Sequence, residues 1–136
     1  MSRRSRLHHV GFAVTSISAT APSFIESFGA DWDGTVIHDP IQRARVTFFS
    51  TNEGDPLVEL VEPNDERSPL ATFIEKKGGG LHHLCYEVPD VAAELTRIRA
   101  AGGLVVSDPV PATAFQGRRI AWAYTKDRVL LEYLEA

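Results

Sequence analysis

The chain has 136 residues, enough for one domain of ordinary size and too few for a two-domain enzyme with a separate nucleotide-binding half. Hydrophobic residues make up 43% and charged residues 24%, close to globular averages, which argues against disorder. The 14 Lys and Arg against 18 Asp and Glu leave a net charge of −4, the wrong sign for a general nucleic-acid binder.

The first residues, Met1-Ser2-Arg3-Arg4-Ser5-Arg6, are basic, but no apolar core of ~7–15 residues follows, so they do not read as a signal peptide. Residues 1–5 read as a frayed, solvated start. No stretch reaches the ~18–20 apolar residues of a membrane span. The single cysteine, Cys85, rules out an internal disulfide and suits a reducing, cytoplasmic setting.

Period-two alternation predicts a first strand over 7–14. A helix follows over 16–28 and stops at Gly29. Three strands come next, over 32–37, 45–49 and 57–61. Ser68-Pro69 opens a short helix over 69–77, because proline suits the first helical position, and Gly78-Gly79-Gly80 ends it. A strand over 81–88 leads to Pro89-Asp90, with Asp90 as N-cap of a helix over 91–101. Strands over 104–106, 118–124 and 129–134 complete the chain, the last two joined by a hairpin turn at Lys126-Asp127.

The chain repeats itself. Leu7-His8-His9-Val10-Gly11-Phe12-Ala13-Val14 matches Leu81-His82-His83-Leu84-Cys85-Tyr86-Glu87-Val88, an offset of 81 − 7 = 74. Leu57-Val58-Glu59-Leu60-Val61-Glu62 matches Leu130-Leu131-Glu132-Tyr133-Leu134-Glu135, an offset of 130 − 57 = 73. Two segments recurring in one order at nearly one spacing mark two copies of a module. Each copy is βαβββ, so the fold class is α+β: modules of about 6–63 and 78–136, joined by the linker helix in a single domain of 6–136.

Each module offers a His on its first strand and a Glu on its last. Two imidazoles and two carboxylates suit a divalent transition metal and neutralise its charge. Strand parity selects within each His-His pair. His9 shares a face with the small residues Gly11 and Ala13, and His83 shares one with Cys85 and Glu87. His8 and His82 fall on the apolar faces, as supporting or packing residues. Glu62 and Glu135 lie at strand ends and read as solvated. The expected metal ligands are therefore His9, Glu59, His83 and Glu132. His38, which has no repeat partner, reads as loop or pocket rim. Tyr86, Phe49, Trp122 and Phe115 read as core residues that also suit a pocket wall.

These motifs, with the run from Pro63 through Ser68-Pro69-Leu70 to Phe73-Ile74, resemble the vicinal oxygen chelate superfamily of glyoxalases, bleomycin-resistance proteins and dioxygenases. Within it they are most like the methylmalonyl-CoA epimerases. The resemblance implies paired βαβββ modules forming a half-open barrel around one metal. It implies a homodimer as well. Glu59 departs from those epimerases that carry Gln here and matches the glyoxalases. A second departure lies in Asp39-Pro40-Ile41-Gln42-Arg43: Gln42 matches, but Ile41 stands where the epimerases carry an acid proposed as a proton-transfer base.

The expected chemistry is proton abstraction next to a carbonyl, with a metal-stabilised enolate. Glu132 or Glu59 is the expected base. Gln42, Arg118 and Arg119 are expected substrate contacts, the arginines for a carboxylate or phosphate. The ion is one of Co, Ni, Zn, Mn or Fe. The substrate is a small molecule, an acyl-CoA or a thiol adduct. A glyoxalase-type lyase is the alternative, and a metal-free small-molecule binding or resistance protein is the third reading. An extradiol dioxygenase fits less well, because the chain offers no clear further catalytic His.

Overall fold

A computed structural model describes residues 5–136. The expected frayed start, residues 1–5, lies outside the described residues except for Ser5. The chain divides into two compact units, residues 9–82 and residues 83–136 together with 5–8. This boundary falls later than the predicted module start near 78. The linker helix belongs with the first unit because its Leu70 and its N-cap Ser68 are buried there, and Gly79 lies close beneath Ala13 O.

The first unit holds most of β1 (Arg6–Ala13, from residue 9 on), then α1 (Ile17–Phe28), β2 (Ile37–Asp39), β3 (Ala44–Phe49), β4 (Leu57–Pro63) and α2 (Pro69–Lys77). Its strands lie in the order β2-β3-β4-β1. β1 and β4 are parallel, with Gly11 opposite Glu59, whereas β3 is antiparallel to both its neighbours. Helix α1 is capped by Ser16, whose hydroxyl accepts the Ala19 N–H, and closes on Gly29 at φ 63°. Its buried face, Ile17 and Ala21, packs with Ala30, Phe49 and Leu60, and Phe12 joins from β1. Phe12 thus lies on the helix side of the strand, as its parity predicts.

The strand expected over 32–37 is not formed there. Asp33 Oδ1 accepts the Thr35 N–H at 2.8 Å and Gly34 takes φ 80°, so a turn occupies the segment. Only Asp31 bridges to Ser50, and pairing resumes at β2. Trp32 folds inward, stacking on Phe49 and donating its indole N–H to Thr47 Oγ1 at 2.7 Å.

The second unit holds β5 (Gly80–Val88) from residue 83 on, then α3 (Val91–Ala100), β6 (Leu104–Val105), β7 (Val110–Pro111), a 3-10 turn (Thr113–Phe115), β8 (Arg119–Tyr124) and β9 (Leu130–Glu135). Strand order is β5-β9-β8-β6, with β7 also on β8. β5 and β9 are parallel, with Cys85 opposite Glu132. Asp90 caps α3 by accepting the Ala93 N–H, and Val91, Leu95 and Ile98 pack on Ala121, Ala123 and Tyr133. The hairpin at Lys126-Asp127 is present, with Arg128 N–H bonded to Thr125 O at 2.9 Å. Between β7 and β8 the 3-10 turn carries buried Ala112 and Phe115. The chain is α+β, as the sequence predicts.

Candidate functional site

In the first unit, parallel pairing of β1 and β4 sets His9 and Glu59 side by side. His9 is fully buried, Glu59 nearly so, and Nε2 lies 3.2 Å from Oε1. Phe48, opposite Glu59 on β3, turns its ring edge-on to the imidazole, centroids 5.3 Å apart.

The second unit repeats this arrangement. His83 Nε2 lies 3.3 Å from Glu132 Oε1, again buried. Trp122, opposite Glu132 on β8, sets its ring edge-on to His83 at 4.8 Å. The offsets are 83 − 9 = 74, 132 − 59 = 73 and 122 − 48 = 74. Cys85 stands where the first unit has Gly11, since 85 − 11 = 74, so the second pair has a buried thiol beside it.

A buried carboxylate is costly unless a cation or strong donors offset it. In each unit the carboxylate beside an imidazole nitrogen offers nitrogen and oxygen donors of the kind a borderline divalent ion takes. The residues present fit that group.

His8 and His82 have the packing role expected of them. His8 meets the edge of Phe115 at 5.5 Å, and His82 meets Phe73 at 4.8 Å. His38 lies in strand β2 and not in the loop expected for it; it is exposed, and its Nε2 lies 3.3 Å from the Asn64 side-chain nitrogen. Phe49 is wholly buried in the core, whereas Phe48 is the residue that faces the site. Phe48 and Phe49 both line a cavity of about 420 Å³ with Trp32, Ser50 and Leu57, so Phe49 has the pocket-wall role expected of it as well as its place in the core. The offset of 74 from Trp122 is the signal that finds Phe48.

Gln42 sits in a tight turn. Buried Asp39 accepts the Ile41 and Gln42 N–H groups on one oxygen, at 3.0 and 3.2 Å, and Ile41 points outward, 55% exposed. Arg118 donates to Glu87 and to Glu135 O, and Arg119 pairs with the Glu135 carboxylate at 2.9 Å. Burial pushes the Glu87 carboxyl up, but hydrogen bonds and charge from Arg118 and Arg6 outweigh it and hold it below its ordinary value. Glu62 and Glu135 are not solvated strand ends. Each accepts the first N–H of a helix and pairs with an arginine, so the chain end is tied down on the helix side.

Residues 8–122 match the family model of the glyoxalase/bleomycin resistance protein/dioxygenase superfamily, and the chain belongs to that superfamily. Within it, the chain is 34% identical over 123 residues to the ethylmalonyl-CoA/methylmalonyl-CoA epimerase of Cereibacter sphaeroides, covering 90% of each. It is 31% identical to the mitochondrial methylmalonyl-CoA epimerase of Homo sapiens, over 96% of this chain and 74% of that one. A solved Streptomyces coelicolor methylmalonyl-CoA epimerase variant in complex with 2-nitronate-propionyl-CoA superposes with a TM-score of 0.81 at 27% identity, covering 96% of both chains.

Proposed function

We propose that this chain is a metal-dependent epimerase of methylmalonyl-type CoA thioesters. The observation that carries this reading is its likeness, across 90% of both chains, to an enzyme named as an ethylmalonyl-CoA/methylmalonyl-CoA epimerase. The Streptomyces coelicolor complex with a CoA thioester analogue supports an acyl-CoA as substrate.

His9, Glu59, His83 and Glu132 are the four ligands proposed for one ion, among Co, Ni, Zn, Mn and Fe. When bound, the ion supplies Lewis-acid stabilisation of the negative charge that develops on the substrate's carbonyl oxygens. Glu132 is assigned the α-proton, and Glu59 the return of a proton to the opposite face, as inversion requires. Two carboxylates from matched positions suit that exchange, and each already shares its surroundings with an imidazole. Asp39 spends one carboxylate oxygen on the Ile41 and Gln42 N–H groups, which favours the two Glu residues as the bases.

Gln42 and Arg118 are assigned to the substrate, Arg118 to an anionic group that would draw it from Glu87. Arg119 is held by Glu135 and is left out of the substrate set. The two modules are proposed to work as one domain, 6–136, in a cytoplasmic homodimer. Among the described residues no helix is long and apolar enough to cross a membrane.

The test is solvent-deuterium incorporation at C2 of methylmalonyl-CoA, followed by proton NMR. Exchange that stops on chelation and returns with Co²⁺ is the expected result. Glu59, in place of the Gln of related epimerases, favours a second reading, the glyoxalase-type lyase. Turnover of the methylglyoxal–glutathione hemithioacetal without exchange on the thioester would establish that reading instead.

A further inference from the structure

Each module carries a second carboxylate three residues beyond its proposed ligand: Glu62 after Glu59, and Glu135 after Glu132. Three steps along a strand reverse the face, so these carboxylates point to the helix side. Glu62 Oε1 accepts the Ile17 N–H at 2.7 Å, and Glu135 Oε2 accepts the Val91 N–H at 3.1 Å. Ile17 and Val91 are the first residues of α1 and α3. Each carboxylate also takes an arginine: Arg45 Nε at 2.5 Å from Glu62 Oε2, and Arg119 by two nitrogens, at 2.9 Å from Glu135 Oε1 and 3.0 Å from Oε2. The parts correspond across the repeat, with 135 − 62 = 73, 91 − 17 = 74 and 119 − 45 = 74.

Neither helix needs this bond for ordinary capping. Ser16 already accepts the Ala19 N–H, and Asp90 the Ala93 N–H. A local cap ties a helix only to its own chain. Glu62 and Glu135 instead tie the helix to the strand that bears the proposed Glu ligand. Each helix begins within a few residues of the strand that bears the His, β1 before α1 and β5 before α3. The clamp therefore links the end of the Glu strand to the chain just beyond the His strand, where the two lie in parallel register. Ligand distances in a metal site hold to within about 0.2 Å, so a slight slide of one strand along the other would spoil the pair.

Resting on the reading of those four residues as ligands, we infer that Glu62 and Glu135, with Arg45 and Arg119, are positioning residues. They fix the register of the His9–Glu59 and His83–Glu132 pairs.

The test compares Glu62→Ala and Glu135→Ala with Ser16→Ala and Asp90→Ala, which remove the ordinary caps of the same helices. Histidine ring signals are read by ¹⁵N NMR in the metal-free protein, and Co²⁺ affinity by calorimetry. Glu62→Ala should shift the His9 ring and spare His83, and Glu135→Ala should do the reverse. Each should weaken Co²⁺ binding by about tenfold, the effect typical of groups that orient ligands. The cap variants should do neither. Glu62→Gln and Glu135→Gln, which keep an acceptor but lose the arginine pair, should fall between and serve if the alanine variants do not fold. Unmoved rings, equal shifts in the cap variants, or unchanged affinity in a protein that does bind Co²⁺ would overturn the assignment. A wild type that takes up no metal, but whose rings respond as described, would remove the metal reading and keep the positioning role.

Discussion

The ring of Trp122 stands edge-on to the His83 imidazole, with centroids 4.8 Å apart and planes at 79°. An edge-on aromatic neighbour fixes the tilt of an imidazole, and such pairs contribute about 0.5–1.5 kcal/mol beyond their buried area. Phe48 does the same for His9 at 72°. Trp122→Ala should lower stability by about 2 kcal/mol, less than a full core truncation because the indole is only half-buried. It should also weaken metal binding, whereas Trp122→Phe should keep most of the affinity. Denaturant melts and metal titration on the two variants check this.

His83→Ala removes a nitrogen donor and leaves Glu132 buried without its imidazole neighbour. Elemental analysis of wild type should give about one divalent ion per chain, and the variant should hold little of it. A wild type that stays empty after incubation with Co, Ni, Zn and Mn would remove the metal reading.

The acid side of the stability curve has named contributors. Glu135 titrates below its ordinary value of 4.5 because Arg119 hydrogen-bonds it, with the Val91 N–H and the Arg119 charge adding to that pull. Glu87 is likewise depressed, with burial opposing Arg118 and Arg6. A carboxyl whose folded pKa is lowered adds stability that is complete above its unfolded pKa and is lost as pH falls through the folded value. Wild type should therefore lose stability on acidification from about pH 5 to pH 3, and Glu87→Gln should show a flatter curve over that range. Thermal melts across those pH values measure the difference.

The His–Glu pairing within each module is legible in the residues because the repeat supplies a second copy of every choice. Parity separates His9 from His8 and His83 from His82, and burial follows it. Other features depend on partners that arrive from elsewhere in the chain. Composition favours a strand over 32–37, but the turn at Asp33-Gly34 and the inward Trp32 win, because Thr47 waits on β3 to take the indole. Glu62 and Glu135 look like strand ends because nothing local in the sequence brings a helix start to them. Phe48 is passed over for Phe49, although only Phe48 keeps the repeat spacing to Trp122.

Thr47 is fully buried and bridges two otherwise separate groups. It accepts the Trp32 indole N–H at 2.7 Å and donates to Thr35 O at 2.5 Å. Thr47→Val keeps the shape and strands both partners, which should cost about 1–3 kcal/mol. Because these bonds hold the segment that precedes β2, amide exchange should rise over residues 32–36 before it rises in β3 or β4. Equal protection of 32–36 in variant and wild type would show that this bridge does not hold the segment.

Glu132 and Glu59 occupy matched positions, yet their proposed duties differ, and isosteric changes separate them. Glu132→Gln keeps an oxygen donor for the metal but removes the group that takes the α-proton. General-base loss of this kind lowers rates by about 10²–10⁴-fold. Glu59→Gln also keeps an oxygen donor and leaves the proposed α-proton acceptor in place, so it should retain metal and cost far less in deuterium exchange at C2. The comparison is made at saturating Co²⁺ with metal content measured in each sample, so that a lost ligand is not read as a lost base. Exchange abolished by Glu59→Gln and spared by Glu132→Gln would reverse the assignment. Equal loss in both, with metal retained, would mean that removal and return of the proton each limit the exchange.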